Sequence, residues 1–345
     1  MTMQSYAILK KLQMDHGLFI ASLGSEYHHV WIRDSFYMLL PFLDKDCDTY
    51  ERGYHAMLDI YRAYEWKIDI HTKQKPVYMH EYIHPRYSKY DLTEIDQEWG
   101  NCQHDAIGAF LWGVGAGEKA GKKILRDERD RQIIQKLVWY LGTCEYWIDA
   151  DNGVWEEWRE VHSSSVGACV AGLNAVRDIV HVDDALITKG WLSLSALFPH
   201  ESASRPVDLA QLTLVYPFNI YIEQDAKDIV AEVEEKLLRS RGVIRYQGDS
   251  YYSTIDDEGR GQPLVHYYNT EAEWCFGISW LGLAHLQFGN VEKAKMYLEW
   301  SRNLMMEDGS IPELYFANTD KPNPNTPLGW CSAMHILLEE KLGGI

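Results

Sequence analysis

Two adjacent carboxylates stand between two tryptophans at Trp155-Glu156-Glu157-Trp158, directly behind the run Asp151-Asn152-Gly153. Asp, Asn and Gly in succession favour a tight turn, which projects side chains from the mouth of a fold rather than into its core. An indole beside a carboxyl group supplies a low-dielectric wall that raises the carboxyl pKa, and a flat apolar face for stacking. The same residues also make a plain loop, anchored by its tryptophans, with solvated glutamates. A third carboxylate, Glu313, follows a proline in Ser310-Ile311-Pro312-Glu313-Leu314-Tyr315. Carboxylates in different surroundings are what paired acid–base chemistry needs, one protonated and one ionised.

Three more stretches carry donors and acceptors side by side. Tyr27-His28-His29-Val30-Trp31-Ile32-Arg33-Asp34-Ser35 places a guanidinium next to a carboxylate, an arrangement suited to adjacent hydroxyl groups. Asp34 would equally serve as a helix cap with a local ion pair. Trp99-Gly100-Asn101-Cys102-Gln103-His104-Asp105 precedes a helical pattern, where Asp105 is again a possible cap. Arg245-Tyr246-Gln247-Gly248-Asp249-Ser250-Tyr251-Tyr252 holds an Arg–Asp pair in a loop. A rival chemistry is written in His80-Glu81-Tyr82-Ile83-His84, which has the HExxH pattern of a zinc metallopeptidase. That pattern works only on a helix, with both histidines on one face. Pro85 directly after His84 disfavours helix there, and Tyr90 stands where a metzincin would place its third ligand.

The elements that must position these groups are helical. Apolar residues recur at helical spacing over 129–149 (Ile133, Ile134, Leu137, Val138, Leu141, Cys144, Ile148), 162–180 and 225–239. Two further helices, 271–288 and 291–306, are separated by the stop signal Gly289-Asn290. Helical stretches are also expected near 3–14, 34–43, 48–66, 105–119, 184–198, 206–216 and 327–341, with few convincing strands. About a dozen helices around one core predict an all-α fold of helical hairpins arranged in a ring, an (α/α) barrel with its site in the loops at one end. No Pro-, Gly- or Ser-rich linker divides the chain, so residues 1–345 are expected to form a single domain. The long aromatic loops 67–100, 242–269 and 308–325 are then the places to look for function.

Bulk composition narrows the partners. With 33 basic and 51 acidic residues, the 345-residue chain carries a net charge of −18, which argues against nucleic acid and anionic membranes and suits a neutral ligand. The 13 Trp and 22 Tyr are enough both to fill a core and to line a carbohydrate site. The six cysteines are widely and irregularly spaced, without CxxC pairs, and read as buried free thiols. No signal-peptide h-region and no apolar run of about 18 residues is visible, so a cytoplasmic protein is expected.

Taken together and in order, these motifs resemble glycoside hydrolase family 15, the glucoamylases. The likeness runs through the Tyr-x-x-x-Trp-x-Arg-Asp-Ser pattern from Tyr27, Trp-Gly-x-x-Gln-x-Asp from Trp99, and Trp-Glu-Glu from Trp155. It continues through Arg-Tyr-x-x-Asp-x-Tyr-Tyr from Arg245, a Trp at position 274, and Pro312-Glu313. The run from Gly153 to Gly167, with His162-Ser163-Ser164-Ser165, is also similar to the glucoamylase-like domain of phosphorylase kinase regulatory subunits.

The resemblance implies an (α/α)6 barrel and inverting hydrolysis of an α-glucosidic bond at a non-reducing end, with no metal or cofactor. It makes Glu156 the general acid and Glu313 the general base. Arg33, Asp34, Arg245 and Glu157 are implied to hold the terminal glucose by its hydroxyls, and Tyr27, Trp31, Trp99, Trp155 and Trp274 to line or support the pocket. An inverting pair stands roughly 6.5–9.5 Å apart. Trp155 and the like charge of Glu157 are expected to raise the Glu156 pKa, and Tyr27 to help keep Glu313 ionised. Within these 345 residues neither a starch-binding domain nor an N-terminal β-sandwich is expected. The stretch 253–270 is longer than the fungal pattern, as if to cap the outer subsites. Both features favour short α-glucosides: isomaltose or isomalto-oligosaccharides first, maltose next, trehalose behind them. The same family likeness allows a sugar-sensing regulatory domain without catalysis.

Overall fold

The computed structural model describes residues 2–24, 27–255 and 263–343. Among them are twelve α-helices, beginning with α1 (Thr2–Leu12), and only two short two-stranded sheets. The chain forms two compact units, one of Gln13–Phe19 and His29–Phe198, the other of Met1–Leu12, Ile20–His28 and Pro199–Ile345.

In the unit that holds His29–Phe198, β1 (His29–Trp31) runs directly into α2 (Ile32–Leu39), which is followed by α3 (Cys47–Ala63) and the short α4 (Glu65–His71). After a loop, β2 (Arg86–Ser88) pairs antiparallel with β1, placing Arg86 opposite Trp31. Then come α5 (His104–Lys119), α6 (Glu128–Cys144), α7 (Ser163–Ala175) and α8 (Asp184–Leu197). Helices α5 and α7 lie almost backbone to backbone. A Cβ on Gly108 would meet the Ala168 carbonyl carbon at 2.4 Å, and one on Gly172 would meet the Gly108 oxygen at 2.4 Å. Two glycines thus bring the start of α5, with Asp105, beside the segment that leads into α7 and carries Glu156. The caps are those the sequence offers: Asp46 accepts from the Thr49 N–H at the head of α3, and Asp127 from the Asp130 N–H at the head of α6.

The unit that holds Pro199–Ile345 pairs α1 with the last helix, and contains α9 (Glu223–Leu237), β3 (Glu273–Trp274), α10 (Phe276–Gln287), α11 (Val291–Asn303), β4 (Leu314–Tyr315) and α12 (Gly329–Gly343). Helix α10 is buried on all sides. The stop between α10 and α11 is where the sequence placed it: Gly289 is left-handed (φ 70°), and the Asn290 side chain caps α11. Strands β3 and β4 pair antiparallel with Trp274 opposite Leu314, so the residue before β4, Glu313, sits next to Trp274.

Three of the expected elements differ from the structure as follows, and the HExxH pentad is non-helical, in line with Pro85 after it. Helix α6 ends at Cys144, not 149, because Glu145 turns left-handed (φ 57°), and Ile148 points to solvent with 59% exposure instead of joining the core. The segment 206–216 is a single 3-10 stretch, Leu209–Leu214, closed at its head by a reciprocal Asp208–Gln211 cap and bracketed by Pro206 and Pro217. The long loop expected from Lys67 is helical as far as His71. The HExxH pentad is not a helix: a one-turn 3-10 segment ends at Glu81 and Tyr82 is extended, so His80 and His84 do not share a helical face. His80 stacks on Tyr78, while His84 lies against Asn101. The middle of the stretch expected to cap the outer subsites, 256–262, lies outside the described residues. The five cysteines whose side chains are described, Cys102, Cys144, Cys169, Cys275 and Cys331, are buried free thiols. No helix is long and apolar enough to cross a membrane, among the described residues.

Candidate active site

Glu156 occupies the tip of a tight loop. Asp151 and Glu160 exchange backbone hydrogen bonds at the loop base, and the Asn152 side-chain amide donates to the Glu157 carbonyl at 2.5 Å. Gly153 (φ 63°) and Glu156 itself (φ 61°) are both left-handed. Such a conformation is costly for a glutamate and persists where the surroundings hold it. Both carboxylate oxygens are engaged: Arg33 Nη2 donates to Oε1 at 3.0 Å, and the Trp99 indole N–H donates to Oε2 at 2.9 Å. Burial raises the Glu156 pKa, against the charges of Arg33 and Arg86 and the hydrogen bonds from Gln103 and Trp99.

Arg33, on the buried face of α2, also donates to Gln103 Oε1 at 3.0 Å and to Asp105 Oδ2 at 2.8 Å. Asp34 and Asp105 are not helix caps. The residues before α2 and α5, Trp31 and Gln103, make no side-chain cap, and Asp105 is spent on Arg33. Arg33 Nε and Asp105 Oδ1 remain buried without a hydrogen-bond partner among the described residues. A buried donor and acceptor left open in this way are costly unless a ligand satisfies them. Trp31 is buried at the end of β1, while Asp34, Trp155 and Glu157 are half-buried around the same loop and helix end.

The loop is fastened from behind. Its Asp151 carboxylate accepts from the His104 N–H at 3.0 Å. Arg159 donates to the Ala150 carbonyl, the Tyr82 hydroxyl and Asp149. Cys102, His104 and Asp149 bring three metal-ligand atoms within 4.8 Å of one another. Asp149, however, already faces Lys75 at 2.8 Å and Arg159 at 3.2 Å, so two cations meet its charge. The cluster therefore works as a buried polar fastening for the loop.

Glu313 is buried in the other unit. Its Oε2 accepts from Asn323 Nδ2 at 2.5 Å and Asn325 Nδ2 at 2.9 Å. Tyr27 also hydrogen-bonds Glu313, and the Tyr27 hydroxyl lies 2.6 Å from that of Tyr251. Burial raises the Glu313 pKa, opposed by Asn325, Asn323 and Tyr27 and by the charge of Arg245. The donor expected from Tyr27 is present. Arg245 holds Asp249 with two hydrogen bonds of 2.6 Å, and its guanidinium lies 4.9 Å from the Tyr251 ring and 5.2 Å from the Trp274 ring. Trp274 stacks on Tyr251 with ring centroids 5.7 Å apart.

Sequence reasoning found the carboxylates but not most of their cradles. Asn323 and Asn325 lie in Lys321-Pro322-Asn323-Pro324-Asn325-Thr326-Pro327, which reads as turn chemistry alone. The spacing Glu313-x9-Asn323-x-Asn325 becomes meaningful only once the loop doubles back and the Glu313 N–H meets the Asn325 carbonyl.

Residues 3–274 match the model of glycosyl hydrolases family 15. The probable phosphorylase b kinase regulatory subunit alpha of Caenorhabditis elegans is 24% identical over 90% of the chain. The skeletal-muscle isoform of that subunit from Oryctolagus cuniculus is 26% identical over 74%. The aligned regions cover only 30% and 24% of those two relatives. Among solved structures, a glycosidase in complex with glucose superposes with TM-score 0.83 at 22% identity, covering 99% of this chain and 96% of that one. A glucoamylase from Saccharomycopsis fibuligera gives TM-score 0.67 at 15% identity, covering 99% and 94%. These likenesses are of fold, the all-α (α/α)6 class that the family resemblance implies. With four-fifths of its length inside the family model, the chain belongs to glycosyl hydrolases family 15.

Proposed function

We propose that the chain is an inverting α-glucoside hydrolase, acting as one catalytic domain, that releases β-glucose from the non-reducing end of short α-glucosides. Glu156 is the general acid and Glu313 the general base. The observation that carries this reading is the pair of buried carboxylates, each seated in its own set of donors, Arg33 and Trp99 on Glu156 and Asn323 and Asn325 on Glu313. A raised pKa keeps Glu156 protonated closer to neutral pH, as a proton donor to a leaving oxygen requires. The amides of Asn323 and Asn325 hold Glu313 through Oε2, an arrangement that suits a carboxylate taking a proton from water.

In this reading Glu156 gives its proton to the glycosidic oxygen as the bond to the anomeric carbon breaks. Glu313 takes a proton from a water that attacks the same carbon from the opposite face, which inverts the anomer. Arg33, Asp34, Glu157 and Arg245 hold the terminal glucose by its hydroxyls, and Tyr27, Trp31, Trp99, Trp155 and Trp274 line or support its pocket. The open Arg33 Nε and Asp105 Oδ1 support a polar ligand at that end. The substrate preference leans to α-1,6-linked isomaltose and isomalto-oligosaccharides over α-1,4-linked maltose, in a cytoplasmic setting without metal or cofactor.

A second reading is a sugar-sensing domain without turnover, favoured by the likeness to kinase regulatory subunits. Turnover separates the two. Glu156→Gln and Glu313→Ala should each abolish glucose release while glucose binding by calorimetry persists. Near wild-type rates in either variant would overturn the assignment. Glucose binding without turnover by the wild type would establish the sensing reading instead.

A further inference from the structure

We propose that Arg86 is a positioning residue for the reaction, acting on Glu156 through the indole of Trp99. The kinetic part rests on the hydrolase reading; the geometric part does not. Trp99 lies in an irregular stretch between β2 and α5, so no helix or strand holds its ring. What does hold it is the Arg86 guanidinium, whose carbon lies 3.6 Å from the ring centroid. A flat cation over an indole face is the strongest arrangement of its kind, and more so when desolvated. Arg86 is only 4% exposed, and its Nη2 donates to Gln97 Oε1 at 2.9 Å, two residues before Trp99. One side chain thus holds both the ring and the Gln97 side chain of the stretch that carries it.

The grip is anchored on both sides. Arg86 sits in β2 opposite Trp31, two residues before Arg33, which holds the other Glu156 oxygen. Upstream, buried Lys67 donates to the His80 carbonyl at 2.8 Å and to Glu94 at 2.5 Å, fixing the loop that enters and leaves β2. The indole N–H is therefore delivered to Glu156 Oε2 at 2.9 Å from a ring with a fixed plane. The charged groups around Glu156 in this unit are Arg33 on α2, with Asp105 of α5 behind it, Arg86 on β2, and the neighbouring Glu157.

The test uses the full chain with Arg86→Met, Arg86→Lys, Trp99→Phe and the Met/Phe double variant. First, carbon NMR of the labelled glutamate carboxyls, with Glu156→Gln for assignment, follows the titration of Glu156. Arg86→Met should move its midpoint to higher pH, and an unmoved midpoint would overturn the proposal even if the protein hydrolyses nothing. Second, kcat on isomaltose should fall about tenfold in Arg86→Met, with KM changed less than about twofold and the alkaline limb of the pH profile displaced upward. The double variant should be no slower than the slower single one, since both substitutions break the same link. Losses that multiply in the double variant would mean that Arg86 does not act through Trp99. Arg86→Lys keeps the charge but not the planar stack, so it should restore the Glu156 midpoint and leave most of the kcat loss. Recovery of both by lysine would also overturn action through the ring. Absence of turnover in the wild type would defeat the proposed function alone, and the carboxyl titration would still judge Arg86.

Discussion

Replacing Arg33 by alanine tests whether the acid end of the site is built around this guanidinium. Arg33 makes three hydrogen bonds of 2.8–3.0 Å, to Gln103, Asp105 and Glu156. The side chains of its two carboxylate partners are only 5% and 13% exposed. Removing the cation strands two carboxylates in a low-dielectric setting, a loss of about 3–5 kcal/mol by analogy with other broken buried pairs. That is a large part of the roughly 5–15 kcal/mol available to a folded domain. Urea unfolding at neutral pH, followed by far-ultraviolet circular dichroism, gives the difference. Arg33→Ala/Asp105→Ala should recover part of the loss, because the second change removes one of the stranded charges. A loss below about 1 kcal/mol, the size expected of an exposed pair, would refute the reasoning. So would a double variant as unstable as the sum of the singles. In protein that remains folded, glucose affinity should drop by about 1.5–3 kcal/mol, the value of a charged hydrogen bond.

Two further outcomes follow from single residues. Burial raises the folded-state pKa of Glu313, so its favourable contribution to stability is present below the unfolded value of about 4.3 and is lost as pH rises through the folded value. Glu313→Gln removes that loss. Its melting temperature should therefore gain on the wild type between pH 4 and pH 8, and a pH-independent gap would contradict the burial argument. Gly108→Ala places a methyl group 2.4 Å from the Ala168 carbonyl carbon and should cost about 1–3 kcal/mol by forcing α5 from α7. A neutral result in thermal unfolding would mean that the helices separate freely.

The parts legible in the sequence are those governed by local pattern. Helical spacing located most helices, and Gly289-Asn290 fixed the α10–α11 break because glycine takes a left-handed turn without cost. The carboxylate Glu156 was visible because its turn and its flanking tryptophans are contiguous. What could not be read depends on contacts between distant segments. Glu145 ends α6 in a left-handed conformation that propensity does not foresee, so Ile148 leaves the core. Arg86 and Asn325 look like ordinary polar residues until folding brings them to Trp99 and Glu313. Burial sets the direction of the Glu156 shift, and the charges that oppose it come from Arg33 and Arg86, far away in the chain.

The central claim is inverting hydrolysis by Glu156 and Glu313. Proton NMR of fresh protein mixed separately with isomaltose, maltose and trehalose resolves the anomer of glucose as it forms. The account predicts early β-glucose, fastest from isomaltose. Early α-glucose would mean retention and would contradict the assigned acid and base, and no glucose from any of the three would contradict hydrolysis of short α-glucosides.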